Sequence, residues 1–385
     1  MIYLNNSSTT KPDEHVLNDF MWCAEKYWHN PSDVSQESMD AKNIIKNSQK
    51  QIANVINAKP KEIIFTSGGS ESNNWAIKGY LDRYPGVKTI ITTEIEHPSV
   101  YNTCKYMESK GYKVVYAPID GYGQVDVNKL ENIISNNAYT FSLISIMMAN
   151  NEVGTLNNIA AISKVAHRYG CTLHVDAVQS FMHTDINVEE LGIDMMSVSF
   201  HKFGGFKNCG FLYVKDGIEP TPLIHGGHQF DSKRAGTENV PMIYAMGKQV
   251  ERLNDDMFVY LERLKRTSKC IINQVYDRCG DLCVVNLNGH PSKRLHNNLS
   301  FTFEGIEANN LITLLELKGV YVSAGSACCA GENTPSRILK AIGLSDKEAF
   351  NTIRVSVDYN TTISEVDKFV DILVECIKSL KMLLD

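Results

Sequence analysis

From about residue 60 to residue 215 the chain alternates short β-rich runs with segments of helical spacing, and few folds accept that order. Residues 62–66, 88–92, 113–116, 143–146, 173–175, 195–198 and 210–214 read as strands, bounded by polar or glycine-containing stretches. Residues 98–110 and 159–169, between them, carry apolar side chains at helical intervals. Such alternation predicts an α/β fold, a mostly parallel sheet flanked by helices. Ligands of such sheets bind beyond the carboxyl ends of the strands. After about residue 245 the texture changes. A long helical stretch over 246–277 leads to weaker strand signals at 282–285 and 298–303 and an amphipathic helix over 364–384. The expected organisation is a large domain over 13–250 and a smaller α+β domain over 251–385, with segment 1–12 packing near the latter.

Composition narrows the class further. The chain has 385 residues, 43% hydrophobic and 21% charged, enough for two substantial cores. A net charge of -6 gives no basic footprint, so no direct nucleic-acid partner is expected. The N-terminus lacks the charged and apolar regions of a signal peptide. No apolar run approaches the roughly 20 residues of a membrane span; 141–149 is short and reads as a buried strand. These features predict a cytoplasmic protein with no membrane partner. Ten cysteines are present without a Cys-x-x-Cys pair; Cys279 and Cys283 stand apart, and Cys328 and Cys329 are adjacent. No metal site is expected from that spacing.

Two charged residues stand at the ends of expected strands. Lys202 closes the run Ser197-Val-Ser-Phe-His-Lys after an apolar strand, where an amine is poorly solvated. Desolvation favours the neutral amine, which can condense with an aldehyde such as that of pyridoxal phosphate, PLP. The plainer alternative is a strand end whose lysine reaches out to solvent. Asp176 ends the preceding strand, and a buried carboxylate needs a cationic partner. A protonated pyridine nitrogen would be one, and that pairing lets PLP act as an electron sink. A helix-capping aspartate is the alternative. Upstream, Thr66-Ser-Gly-Gly-Ser-Glu-Ser-Asn73 follows a strand and opens a helix, where free amides attract an anion. Alone it is an ordinary tight turn.

Together with further motifs these residues resemble a known family, the cysteine desulfurases of the NifS/IscS type among class V aminotransferase-like PLP enzymes. The resemblance runs nearly end to end. It rests on Tyr3–Thr10, Phe65–Ser72, Glu94–His97, Asn150–Gly154, His174–Ser180, Ser199–Lys202, Arg234–Asn239, Ser323–Cys328 and Ile353–Ser356. It implies the PLP-dependent transferase fold of type I, and it implies roles. Lys202 would hold PLP and later move the substrate's Cα proton. His97 would stack on the ring and act in acid/base steps. Asp176 would pair with the pyridine nitrogen, Gln179 with the ring hydroxyl, and Asn151 would lie beside that hydroxyl and the substrate. Gly69, Ser70, Ser199 and His201 would surround the phosphate, with Thr237 completing the cup from a second subunit of a homodimer. Arg354 would clamp the carboxylate of L-cysteine, and the Cys328 thiolate would attack the substrate sulfur, becoming a persulfide as alanine leaves. A sulfur-acceptor protein would follow, its identity open; Cys329 has no assigned role.

The pattern is broken in places. Gly205-Phe206-Lys207-Asn208 lacks the family's usual proline and second glycine. Phe230 and Asp231 replace a glutamate and an arginine. Asp358 stands where glycine is common, and Asn5 and Ser8 replace frequent aspartate and alanine. None removes an expected catalytic group. The competing expectations are a selenocysteine lyase or a pathway-specialised relative, and a non-enzymatic PLP-binding scaffold for sulfur transfer.

Overall fold

In a computed structural model, which describes residues 1–136, 141–324 and 334–382, the chain opens with a short strand, β1 (Ile2–Tyr3). Seven strands follow: β2 (Ile63–Thr66), β3 (Thr89–Thr92), β4 (Lys113–Tyr116), β5 (Leu143–Met147), β6 (Thr172–Asp176), β7 (Met195–Ser199) and β8 (Gly210–Val214). They form one sheet in the order β2-β8-β7-β6-β5-β3-β4. The pairs from β4 to β7 are parallel, and β8 runs antiparallel to both β7 and β2. Each expected strand is present, displaced by no more than one residue at either end.

Successive residues of a strand point to opposite faces, and here both faces are apolar. Ile64, Ile90, Leu143, Met195 and Leu212 enter one core with Trp75, Ile77 and Val100. Their neighbours Ile63, Ile91, Ile144, Met196 and Phe211 enter the other, with Phe181 and Phe203. The sheet is a central layer, and polar residues inside it must be paired. His174 shows how: its ring bridges Ser145 Oγ (2.8 Å) on β5 and Ser197 Oγ (2.9 Å) on β7.

Burial depresses the pKa of His174 to about 3, and burial likewise brings His183 to about 4. Both protonate readily once unfolded, so the unfolded chain binds more protons between these values and about 6.5. Stability is therefore fully present above pH ~6.5 and falls as pH is lowered, by up to about 1.4 kcal/mol per pH unit for each histidine. Glu96 opposes them with a slope of the same size between about pH 4.5 and 8: burial raises its pKa to about 8, which favours the folded state at low pH and offsets one of the two histidines where the windows overlap. A melting series across that range should show Tm dropping on acidification, with a reduced slope in a His174→Asn variant.

A second sheet has the order β12-β13-β10-β9, built from β9 (Val285–Asn288), β10 (Asn298–Phe303), β12 (Ser323–Ala324) and β13 (Thr352–Ser356), all antiparallel. The intervening β11 (Val320–Tyr321) pairs in parallel with β1. Helix Ile363–Met382 packs on helices Met257–Cys279 and Ala308–Leu317. Two expectations are corrected. The stretch 246–277 is not one helix: Val240–Asp255 and Met257–Cys279 are separate, interrupted at Asp256 (φ -109°, ψ 14°). The run Asn254-Asp255-Asp256 supplies side chains that compete with helical hydrogen bonding. The strand expected at 282–285 begins at Val285, because Leu282 and Cys283 donate their amides back to Cys279 O (2.9 and 3.1 Å) and finish the helix.

The departures from the family pattern have local explanations. Asn208 takes φ 56°, the left-handed conformation that asparagine tolerates in place of glycine. Phe206 packs against Phe20 and Phe200. Asp358 accepts from the amides of Asn360 (2.9 Å) and Thr361 (3.0 Å), shaping the turn before the last helix. Phe230, Asp231 and Ser232 have φ of 47°, 56° and 64°, a left-handed turn held where Phe230 meets Phe65.

Candidate active site

The N-terminal segment carries the chain from the second sheet to the first. Asn5 bridges Ser356 of β13, and five residues on Thr10 N donates to His201 O (2.9 Å) while Thr10 Oγ1 accepts from Gly204 N (2.8 Å). The segment thus lies across the turn Phe200–Lys202 that follows β7. Lys202 Nζ donates to Ser7 O (2.6 Å) and Ser8 O (2.7 Å). On the neighbouring strand Asp176 is the last residue of β6 and only 4% exposed. Its Oδ2 accepts from Asn73 Nδ2 (2.8 Å) and its Oδ1 from Val178 N (3.0 Å). The lysine and the aspartate therefore sit at the carboxyl ends of adjacent parallel strands, as their sequence positions predict.

His97 caps the helix Pro98–Ser109. Its Nδ1 accepts from Ser99 N (3.1 Å) and lies 2.7 Å from Ser99 Oγ. Burial pulls its pKa below the ordinary histidine value; the Asp176 charge opposes that, and Lys202 and Arg337 add to it. His201, half-buried beside Lys202 and Lys207, is lowered to about 3 by desolvation and those charges, and lies 3.2 Å from Thr9 Oγ1.

The glycine turn is shaped by backbone demands. Gly68 has φ 132° and ψ -174°, a region open essentially to glycine alone. A Cβ on Gly69 would lie 2.6 Å from Val178 Cγ2, and one on Gly68 would lie 3.4 Å from Ser199 Oγ. Ser199 is therefore beside the turn, and Ser70 is exposed in the first turn of the helix Gly69–Asn74. Glu71 accepts from Ser67 N (2.6 Å) and from Arg234 Nε (2.9 Å), tying the 234–239 segment to this turn. Gly68→Ala is expected to cost about 1–3 kcal/mol of stability through backbone strain. Denaturant unfolding measures that loss, and phosphate-ligand affinity should fall with it.

Beyond the strand ends lies a cavity of about 290 Å³, walled by Ser7, Ser8, His97, Asn151, Gln179, Lys202 and Arg354, together with Tyr101, Glu152 and Arg337. Arg354 comes from β13 and is 2% exposed. It donates to Asn151 O (2.8 Å) and Asn5 Oδ1 (3.0 Å). Gln179 Nε2 donates to Ser7 O (3.0 Å). Thr237 is exposed and is not part of the cavity wall. Cys328 and Cys329 lie outside the described residues.

Sequence reasoning missed several participants. Asn73 and Ser99 link Asp176 to His97, Asn5 holds Arg354, and Ser336 Oγ donates to Glu152 Oε2 (2.5 Å) across the cavity rim. Asn73 and Asn5 sit inside motifs read for other residues. The signal for Ser99 was Pro98, which marks a helix start one residue before it.

This donor set fits PLP. A buried carboxylate, Asp176, ends the strand beside the one that leads to Lys202, an imidazole and an amine face one cavity, and the glycine turn has no room for a side chain at Gly69. The comparisons agree. The pattern of the family described as Aminotransferase class-V matches residues 2–369, and the chain belongs to that family. A cysteine desulfurase IscS of Methanosarcina thermophila is 38% identical over 382 residues, spanning 99% of this chain and 93% of that protein. One of Dictyoglomus turgidum is 39% identical over 381 residues, spanning 99% and 95%. Among solved structures, a NifS-like protein superposes with a TM-score of 0.90 at 33% identity, covering 98% of this chain and 99% of that one. SspA in complex with cysteine superposes at 0.81 with 35% identity, covering 94% and 100%. The fold is that of the type I PLP-dependent enzymes, and cysteine desulfurases as a group use PLP. Among the described residues, no helix is long and apolar enough to cross a membrane.

Proposed function

We propose that this chain is a PLP-dependent cysteine desulfurase, converting L-cysteine to L-alanine and leaving a persulfide on Cys328 for an acceptor protein. The observation that carries this reading is the meeting of Lys202, His97 and Arg354, from three distant parts of the chain, on one cavity wall. PLP, when bound, supplies an aldehyde for the Lys202 amine and a ring that accepts electrons when the Cα proton departs. Lys202 holds the cofactor and then moves that proton. His97 would cover the ring, Asp176 would pair with the ring nitrogen, and Gln179 and Asn151 would serve the ring hydroxyl. Gly69, Ser70, Ser199 and His201 offer donors to the phosphate. The planar fork of Arg354 binds the substrate carboxylate. The Cys328 thiolate then attacks the substrate sulfur: the S–S bond forms as the Cβ–S bond breaks, its electron pair going to carbon.

The reading includes a homodimer, with Thr237 completing the phosphate cup of the second copy. Its support is that Thr237 is exposed, and that Trp28 and Val34 before the helix Gln36–Val55 and Met39 in its first turn expose apolar surface, on a helix that packs along Val240–Asp255.

A single-turnover reaction of PLP-loaded protein with L-cysteine, without reductant, tests the proposal. Alanine is quantified and peptide masses are read for added sulfur. One sulfur on Cys328 with matching alanine, both lost in Cys328→Ala, is expected. Alanine without an adduct would replace this reading with a lyase that releases sulfide or selenide directly. Cofactor bound to Lys202 without turnover would point to a scaffold.

A further inference from the structure

Asn73 is 1% exposed and belongs to the helix that opens at Gly69. Its Nδ2 donates twice, to Asp176 Oδ2 (2.8 Å) and to Ser99 Oγ (2.8 Å). The carboxylate fixes which way the amide points, because an amide oxygen turned toward it would place acceptor against acceptor. With both Nδ2 protons committed, Ser99 Oγ receives one of them and must send its own proton elsewhere. Its neighbour is His97 Nδ1, 2.7 Å away, which also accepts from Ser99 N at 3.1 Å. Two donors converge on that nitrogen, so it carries no proton.

We propose that Asn73, acting through Ser99, is a positioning residue that holds His97 as the neutral imidazole with its proton on Nε2, and ties that ring to the Asp176 carboxylate. The chain of donors has one direction. Protonating Nδ1 would require the Ser99 hydroxyl to turn and donate to Asn73, which offers only N–H groups there, and would also oppose the Ser99 amide. The charged groups around His97 divide: Asp176 favours the imidazolium, whereas Lys202 and Arg337 oppose it. The buried Glu96 next in the chain has its pKa raised to about 8 by burial. A neutral histidine with Nε2–H is a hydrogen-bond donor and a flat cover for a ring, as in enzymes where an uncharged imidazole polarises its substrate. It is not a base at Nε2. Proton movement at the substrate Cα then rests on Lys202, and His97 takes no part in it, which narrows the acid/base role the family resemblance suggests. This consequence rests on the proposed function; the tautomer does not.

Ring nitrogen NMR of protein labelled with ¹⁵N-histidine, with and without PLP, tests the proposal, the His97 signals being identified by their loss in His97→Gln. The wild-type ring should be neutral with Nε2–H across the neutral pH range. A wild-type imidazolium, or a proton on Nδ1, overturns the proposal without any further variant and without reference to turnover. Asn73→Asp places an oxygen where the amide nitrogen was. Whether charged, or carrying one proton given to Asp176, that oxygen accepts from Ser99 and releases Nδ1. His97 should then titrate about one pH unit or more higher, and the kcat/KM profile should gain a matching limb. Asn73→Ala, which removes the donors without supplying an acceptor, should shift it less. Equal titration in wild type and Asn73→Asp would show that Asn73 only packs.

Discussion

Asp176→Asn is expected to lower kcat for alanine formation on the order of 10³-fold while KM for L-cysteine changes far less. The carboxylate is nearly buried, and it accepts from the Asn73 amide and from Val178 N. Neither is a full positive charge, so a cationic ring nitrogen is the partner that best compensates its burial. Asparagine has almost the same shape and can still accept from Val178 N through its oxygen, so the turn after β6 and the fold should survive. What it lacks is the charge that keeps a pyridine nitrogen protonated. Its NH2 group would also face the NH2 of Asn73, donor against donor, and disturb the path to Ser99 and His97. Steady-state rates, read beside PLP absorbance and melting temperature, separate loss of chemistry from loss of cofactor or fold. Near-normal kcat in the variant would remove Asp176 from the proposed mechanism.

The contrast between what was legible in the sequence and what was not follows from the range of the interactions. Runs such as Ile63-Ile64-Phe65 and Ile90-Ile91 declared a sheet buried on both faces, because neighbouring apolar residues can be buried together only there or in a buried helix, and these runs were too short for a helix. Lys202 and Asp176 stood out because each closes such a run. The helix break at Asp256 was harder to see, since helical spacing continues across it. The partnerships at the site were not visible at all: Asn5 with Arg354, Asn298 with Asn151, and Asn73 with Asp176 join residues that no local pattern couples. Histidine is not among the favoured N-cap side chains, so the capping role of His97 had no composition signal beyond Pro98. The assignment of roles came from the ordered motifs of the family, and the geometry shows which of those residues share a cavity and which, like Thr237, do not.

Arg354 gives the other large effect, and it separates binding from folding. Replacing it with alanine should reduce kcat/KM for L-cysteine by about 10²-fold or more, mainly through KM, because a buried charged partner of the substrate carboxylate is removed. Arg354→Lys keeps the charge but not the planar fork, so a smaller loss of about 10-fold is expected. The side chain also has a structural task, donating to Asn151 O and Asn5 Oδ1 and so joining β13 to the N-terminal segment and to the loop after β5. Its loss will therefore lower stability as well. Cysteamine distinguishes the two effects, since it carries the amine and the sulfur of cysteine without the carboxylate. If Arg354 reads the carboxylate, wild type and Arg354→Ala should process cysteamine at similar, low rates, and the difference between them should appear only with L-cysteine. If the alanine variant loses both substrates equally, Arg354 acts by holding Asn5 and Asn151 in place, and the carboxylate clamp must be sought on another residue of the cavity wall.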